Sequence, residues 1–335
     1  MNSNNALKQN KKLYTVVAVA SLLLLLAFMA ALFFGSTKLT ASQVVGGMFG
    51  SASQEITVIV RNLRLPRALA AVVAGVGLSV AGVLLQAVTD NDLASPNIIG
   101  INSGAGFAVI IMLSVFPYNA FAIPFAAFAG AFAAAMLIVY TSSKIGVAKS
   151  TVVLAGVALT TILNAAISFI SMVDTDTMAI YSHFSVGGLA GVALKDIVLP
   201  VVLVAVSVAV VLVLADRISI LCLGDSLAAS LGVKVKALRV VCLVCASFCA
   251  AAVVSFAGLL GFVGLVVPHI ARALVGKNIK NCIVVSSLAG AVLVLLADML
   301  GRIILAPTEI PVGIVMAFIG APFFMYLLLR RKHNA

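Results

Sequence analysis

The chain has 335 residues, of which 63% are hydrophobic and only 9% charged. A soluble globular chain carries about 25% charged residues, so the composition excludes that class and describes an integral membrane protein. Apolar runs of about 18 residues or more recur along the whole length, which favours helices over the alternating strands of a barrel. The net charge of +11 is no nucleic-acid footprint: fifteen of the 21 Lys and Arg fall on one side of the topology below and six on the other, the asymmetry that orients a membrane protein.

At roughly 20 residues per span, the length accommodates about ten helices in a single membrane domain, 1–335, with the bundle at 14–329. Lys8, Lys11 and Lys12 precede the first apolar run, which is too long for a signal-peptide core, so an uncleaved first span over 14–35 is expected with the N-terminus in the cytoplasm. An external connector of mixed polarity, 36–66, leads to span two over 67–87. Gly75, Gly77 and Gly82 there allow close helix contact and predict an interior position. A polar turn at 88–96 separates it from span three (97–116), and Pro117 marks a short loop before span four (120–141).

Lys144 and Lys149 mark a cytoplasmic connector before span five (151–172). Residues 173–195 are expected outside, and span six covers 196–215. Spans seven, eight, nine and ten are expected at 238–256, 258–273, 282–302 and 312–329, the eighth being short. Arg330, Arg331 and Lys332 return the C-terminus to the cytoplasm. Gly258, Gly261 and Gly264, spaced by three, suggest a thin helix face. Without a following Lys-Ser/Thr they are no phosphate loop. Cys242 and Cys245 form a C-x-x-C with no metal-ligand companion, and with Cys222, Cys249 and Cys282 they read as packing residues.

The longest polar break in the second half is 215–239, with a coupling segment at 216–238. Arg217, Lys234, Lys236 and Arg239 put it on the cytoplasmic side. Its middle predicts one short helix, capped by Asp225 or Ser226, with Leu227 and Leu231 on one face and Gly232 at its end. Such a helix between two spans is either a solvated connector or a handle for a cytosolic partner. On the opposite side, Arg61, Arg64, Arg67 and Arg302 defy the charge rule. They read either as internally paired, for example Arg302 with Asp298 at i,i+4, or as a basic outer rim that receives carboxylates from a partner. Gln86 and Asn164 are polar residues in spans that either line a path or bond between helices.

Six stretches then line up in order: RNLRLPRALAAVVAG (61–75), GVLLQAVTDNDLASPNIIGINSGAG (82–106), LGDSLAASLGV (223–233), GLLGFVGLVVPHIAR (258–272), ADMLGRIILAPTEIPVG (297–313) and GAPFF (320–324). On these the chain resembles the permease subunits of bacterial ABC importers for iron-siderophores, haem and cobalamin. The resemblance implies the all-α type II importer permease fold, about ten transmembrane helices per subunit. Two permease subunits, as a homodimer or pseudo-dimer in the inner membrane, would frame a central path. It implies that Leu223, Gly224, Asp225, Ser226, Leu227, Ala228, Ala229, Leu231 and Gly232 match the coupling helix that docks on two ATP-binding cassette subunits. It implies that Arg64, Arg67 and Arg302 match arginines that meet glutamates of an external substrate-binding protein, and that Ser150 and Thr151 lie near a cytoplasmic gate. No cofactor is implied on this chain, ATP and magnesium belonging to the partner ATPases. Two departures stand out: Asp92 replaces a usual Pro in the 90–96 turn, and HFSVGG (183–188) lacks the usual Trp.

The alternative is a secondary transporter driven by protons or sodium. That class places ionisable residues at mid-membrane, and the middles of the proposed spans hold no Lys, Arg, Asp or Glu. A membrane enzyme is disfavoured because His183, His269 and His333 lie in different regions and no paired-carboxylate arrangement accompanies them.

Overall fold

The computed structural model describes residues 3–117, 119–145 and 149–332, and among them every regular element is a helix. Helix α1 (Ser3–Phe33) is followed by α2 (Ala41–Phe49) and α3 (Gln54–Val58), a π turn (Ile59–Arg64) and α4 (Leu65–Thr89). After the polar turn come α5 (Ile101–Val115), α6 (Ile123–Ile145), α7 (Lys149–Val173) and α8 (Thr175–Val186). Then α9 (Leu194–Val213), α10 (Ala215–Leu221), α11 (Asp225–Ser230) and α12 (Val235–Ala257) follow, and the chain closes with α13 (Val263–Val275), α14 (Ile279–Ile303) and α15 (Val312–Lys332). Seven stretches are long and apolar enough to cross a membrane: parts of α1, α6 and α7, the continuous helix 54–89, and α9, α12 and α14. The other three expected spans fall on shorter apolar helices, α5, α13 and the first part of α15. At 1.5 Å per residue the 15 residues of α5 reach only about 22 Å, against a hydrocarbon core of about 30 Å.

The connector expected over 36–66 is largely helical. Thr40 and Gln43 cap α2 reciprocally, side chain to backbone in both directions. From Gln54 onward the chain runs into α4 without a break, as one helix of 36 residues. Pro66 lies inside this helix, where proline lacks an N–H and crowds the carbonyl four residues back. The π turn absorbs it: the Leu65 N–H reaches back five residues to the Val60 carbonyl, and the wider ring makes room.

Helix α4 is the centre of the bundle, packed on α14, α12 and α13. Its glycines do what their spacing predicts. A Cβ on Gly75 would collide with the backbone of Gly290 in α14, and one on Gly82 with the carbonyl of Gly264 in α13. Gly104 and Gly130 make the same backbone approach between α5 and α6. Dispersion over such close contacts replaces the hydrophobic effect, which is absent between helices in lipid. The thin face expected from Gly258, Gly261 and Gly264 is not one helix face. Only Gly264 packs on α4; Gly258, at φ 67°, ends α12 and turns the chain, and α13 begins at Val263.

The two ends of the bundle differ. One gathers the start of α4, the ends of α1 and α14, the start of α9, and α8, which is tied to α12 by hydrogen bonds from Gly188 to the Ala257 carbonyl and from Leu259 to the Phe184 carbonyl. The other carries α10, α11 and the turn after α4. Helix α7 stands apart: over Val152–Val173 only 6% of its apolar window is buried within the chain.

Candidate functional site

At the end that carries α8, three arginines that sequence left as either internally paired or a basic rim are turned inward. Arg64 and Arg302 are buried and Arg67 is nearly so. The last carbonyls of a helix have no partner within it and carry the negative end of its dipole. Arg64 and Arg302 supply the donors for α1. Arg64 Nη1 donates to the Leu32 and Phe33 carbonyls at 2.7 and 2.9 Å, and Nη2 to the Thr37 carbonyl at 2.5 Å. Both terminal nitrogens of Arg302 donate to the Ala31 carbonyl at 3.2 Å. Arg61, three residues before Arg64, is exposed and donates to the Met48 carbonyl at 2.7 and 2.9 Å.

Arg67 holds two carboxylates. Its Nε and Nη2 meet buried Asp298 at 2.9 Å, and Nη1 meets Glu309 at 2.5 Å. Asp298 also pairs with Arg302 Nε at 3.2 Å, the i,i+4 pair expected from sequence. Glu309 accepts a further hydrogen bond from the Ser36 hydroxyl at 3.0 Å. Partial burial alone would raise the Glu309 carboxyl, but the Arg67 hydrogen bond and charge, the Ser36 hydroxyl and the Arg302 charge outweigh it and hold the group below its ordinary value. A cavity of about 220 Å³ opens beside this cluster, lined by Ser36, Arg64, Arg67, Gly191, Arg302 and Glu309 among others. Three guanidiniums against two carboxylates leave an excess positive charge facing it.

At the opposite end, α11 is a single short helix, as expected, but its cap differs. Gly224, at φ 116°, takes the N-cap position, and no side chain caps the helix. Asp225 instead points to Arg239 of α12, 2.6 Å away, which leaves the cap to a residue without a Cβ. Gly232, at φ 80°, closes the far end, with its N–H on the Ala229 carbonyl and that of Val233 on the Ala228 carbonyl. Ala228 is fully buried under the helix, whereas Leu223, Leu227 and Leu231 are 64%, 55% and 62% exposed, and Ser226 and Ala229 are exposed beside them. Leu227 lies on the helix itself, with Leu223 just before it and Leu231 at its C-cap, so three exposed leucines cluster on this short element. Beside it lies a groove of about 580 Å³ between α10 and α12.

Between the two ends, Gln86 and Asn164 part company. Gln86 is buried and cross-links helices: its Nε2 donates to the Gly264 carbonyl at 3.3 Å and its Oε1 accepts from Arg272. Arg272 also lies 3.5 Å from Asp92, the residue that stands where the resemblance leads one to expect proline. Asn164 is exposed on α7 and lines a cavity of about 420 Å³ with Asn97, Asn102, Ser103, Thr160 and Thr161. No charged side chain lines it. A row of amides and hydroxyls is a poor face to present to lipid and a suitable wall for a polar path. Ser150 and Thr151 begin α7, and their side chains lie outside the described residues.

A model of the FecCD transport family matches residues 23–330. The chain belongs to this family. It is 34% identical to the Fe(3+)-citrate import system permease protein YfmE of Bacillus subtilis, covering 96% of both chains. It is 36% identical to the iron(3+)-hydroxamate import system permease protein FhuG of the same organism, over 96% of this chain and 98% of that one. To the ferric enterobactin transport system permease protein FepD of Escherichia coli it is 35% identical, over 95% and 96%. Among solved structures, an inward-facing conformation described as a putative metal-chelate type ABC transporter superposes with a TM-score of 0.85 at 28% identity, covering 94% of this chain and 99% of that one. The FecCD chain is thus a multi-pass membrane transport protein, and a secondary transporter of another lineage is not favoured.

The structure brings Arg64, Arg67 and Arg302 into one cluster and the 223–232 residues into one exposed element, with Asn164 and Gln86 on different faces between them. Sequence reasoning missed the Arg67–Glu309, Arg239–Asp225 and Gln86–Arg272–Asp92 contacts. The first joins residues 242 positions apart and has no local signal; Asp225 and Arg239 are 14 apart, on either side of a turn whose path the spacing did not define.

Proposed function

We propose that this chain is the permease subunit of an ATP-driven importer of ferric chelates, working as a pair around a central path. The observation that carries the proposal is exposed Leu227 on a short helix, flanked by exposed Leu223 and Leu231 and bounded by Gly224 and Gly232: an apolar handle on the polar end of a membrane bundle. Fifteen of the 21 basic residues belong to that end under the positive-inside tendency, so it is assigned to the cytoplasm together with both termini. Two cytosolic ATPases grip the 223–232 helices, one on each copy, and their closure shifts the bundle between two conformations. The chain itself performs no covalent chemistry; it couples two conformations to a partner's binding energy. The bare face of α7 and its amide- and hydroxyl-lined cavity then belong to the path between the copies, with Asn164 on its wall.

The outer cluster of Arg64, Arg67 and Arg302 receives the substrate-binding protein. Since these side chains are internal here, docking proceeds through the cavity beside Glu309, where a partner carboxylate reaches Arg67. The neutral path wall and the iron-chelate cargoes named for the relatives favour an iron chelate over a bare cation. The decisive test is ferric-chelate uptake in cells carrying the chain with and without its ATPase, using Leu227→Asp alongside. Uptake that persists without the ATPase and follows a proton gradient would overturn the proposal.

A further inference from the structure

A groove of about 670 Å³ opens on the side of the bundle, between the start of α6, the start of α9 and the end of α12. Its walls are Phe121, Phe125, Phe128, Leu199 and Leu203, and its floor includes Ala252, which is fully buried. Polar side chains occur at one end only. Lys195 and Asp196 sit in the first turn of α9, and Ser255, in the last turn of α12, is satisfied by the Ala252 carbonyl. From Lys195 to Leu203 the groove descends eight residues of α9, about 12 Å at 1.5 Å per residue, close to the depth of one leaflet of a 30 Å core. Its layout is polar at the interface, apolar below, and open sideways to the bilayer.

The polar end is built for two charges rather than one. Lys195 makes no ion pair among the described residues, and its ammonium stands 5.6 Å over the Phe121 ring, an exposed contact that a phosphate easily replaces. Asp196 uses one carboxylate oxygen to accept the Ala193 N–H at 2.9 Å, which keeps its side chain at the mouth and leaves the other oxygen available. We propose that this groove binds one phospholipid with a phosphoethanolamine headgroup, its phosphate on Lys195, its ammonium on Asp196 and an acyl chain along Phe125, Phe128 and Leu203. Gly191 lines both this groove and the arginine cavity, so the lipid rests against the segment that separates them.

The full-length chain, extracted in its native assembly and exchanged into phosphatidylcholine nanodiscs carrying either phosphatidylethanolamine or phosphatidylglycerol, tests the site by native mass spectrometry of the retained lipid. One phosphatidylethanolamine per chain is expected above the phosphatidylcholine background. Lys195→Ala should cut its retention about fivefold, the usual contribution of one lysine near a phosphate surface. Leu203→Trp, which fills the groove, should remove bound lipid of every headgroup. Asp196→Asn, which can still cap α9, should shift the preference toward phosphatidylglycerol. Unchanged retention in both Lys195→Ala and Leu203→Trp overturns the site. A preference for phosphatidylglycerol in the unaltered chain overturns the headgroup assignment.

Discussion

Arg67 and Asp298 lie 231 residues apart and meet through two nitrogens at 2.9 Å in a buried pair. The same carboxylate also holds Arg302. Removing it leaves Arg302 without a carboxylate and Arg67 with Glu309 alone, and breaking a buried pair from one side costs about 3–5 kcal/mol. Asp298→Ala should therefore lower thermal stability by an amount in that range. Glu309→Gln, at a partly exposed group that keeps hydrogen-bonding capacity, should cost about 1 kcal/mol. A melt of the purified protein that ranks the two the other way round contradicts the buried role of Asp298.

The depressed Glu309 carboxyl fixes a sign for pH. A carboxylate held below its ordinary value, 4.5, by the folded state contributes stability above that value and loses it as pH falls through the folded value. Asp174 adds to the same trend: the Thr177 hydroxyl at 2.6 Å, then the Thr177 N–H at 3.0 Å, hold it down while it caps α8. Melting temperature should be flat near neutrality and drop in acid, and Glu309→Gln should shrink the acid drop. An equally steep drop in that variant assigns the effect to other groups.

Glu309 also competes for the arginine that a docking carboxylate would use. If the binding protein engages Arg67, Arg67→Ala should weaken its affinity, and Glu309→Gln should strengthen it severalfold by vacating Nη1. The gain should be greatest at low salt, where charge pairs are least screened. Titration of binding protein onto the reconstituted permease separates the ideas: no loss with Arg67→Ala removes docking at this cluster, whereas loss there without a gain in Glu309→Gln removes only the competition.

At the other end, Leu227→Asp places a charge among the exposed leucines of this element. It should abolish co-purification of the ATPase while leaving the chain in the membrane. Gly224→Ala should do nearly as much damage without adding charge, because φ 116° is a conformation L side chains rarely adopt. Normal ATPase recovery in both variants excludes the coupling role.

What was legible in the sequence was what is local. Gly75 and Gly82 announced close contact because small residues at helical spacing on an apolar run have one use in lipid. Helix α11 was readable because Leu227, Leu231 and Gly232 lie close together in the chain. The Arg67–Glu309 pair was not readable, since nothing near either residue encodes a partner 242 positions away. Residues 54–64 fell within the expected 36–66 connector because their polarity is mixed, and a π turn leaves no periodic trace. The glycines at 258 and 261 kept helical spacing yet serve a turn, since spacing alone does not carry φ.

The contacts of Gly75 with Gly290 and of Gly82 with Gly264 bring the backbone of α4 directly onto its two neighbours, with no side chain between them at those two points. Surfaces that touch backbone to backbone do not slide past one another without opening a void that nothing fills. Helices α4, α13 and α14 are therefore expected to move as one piece. The alternation is then expected at α7 and its surroundings, the part of the bundle least tied down within the chain.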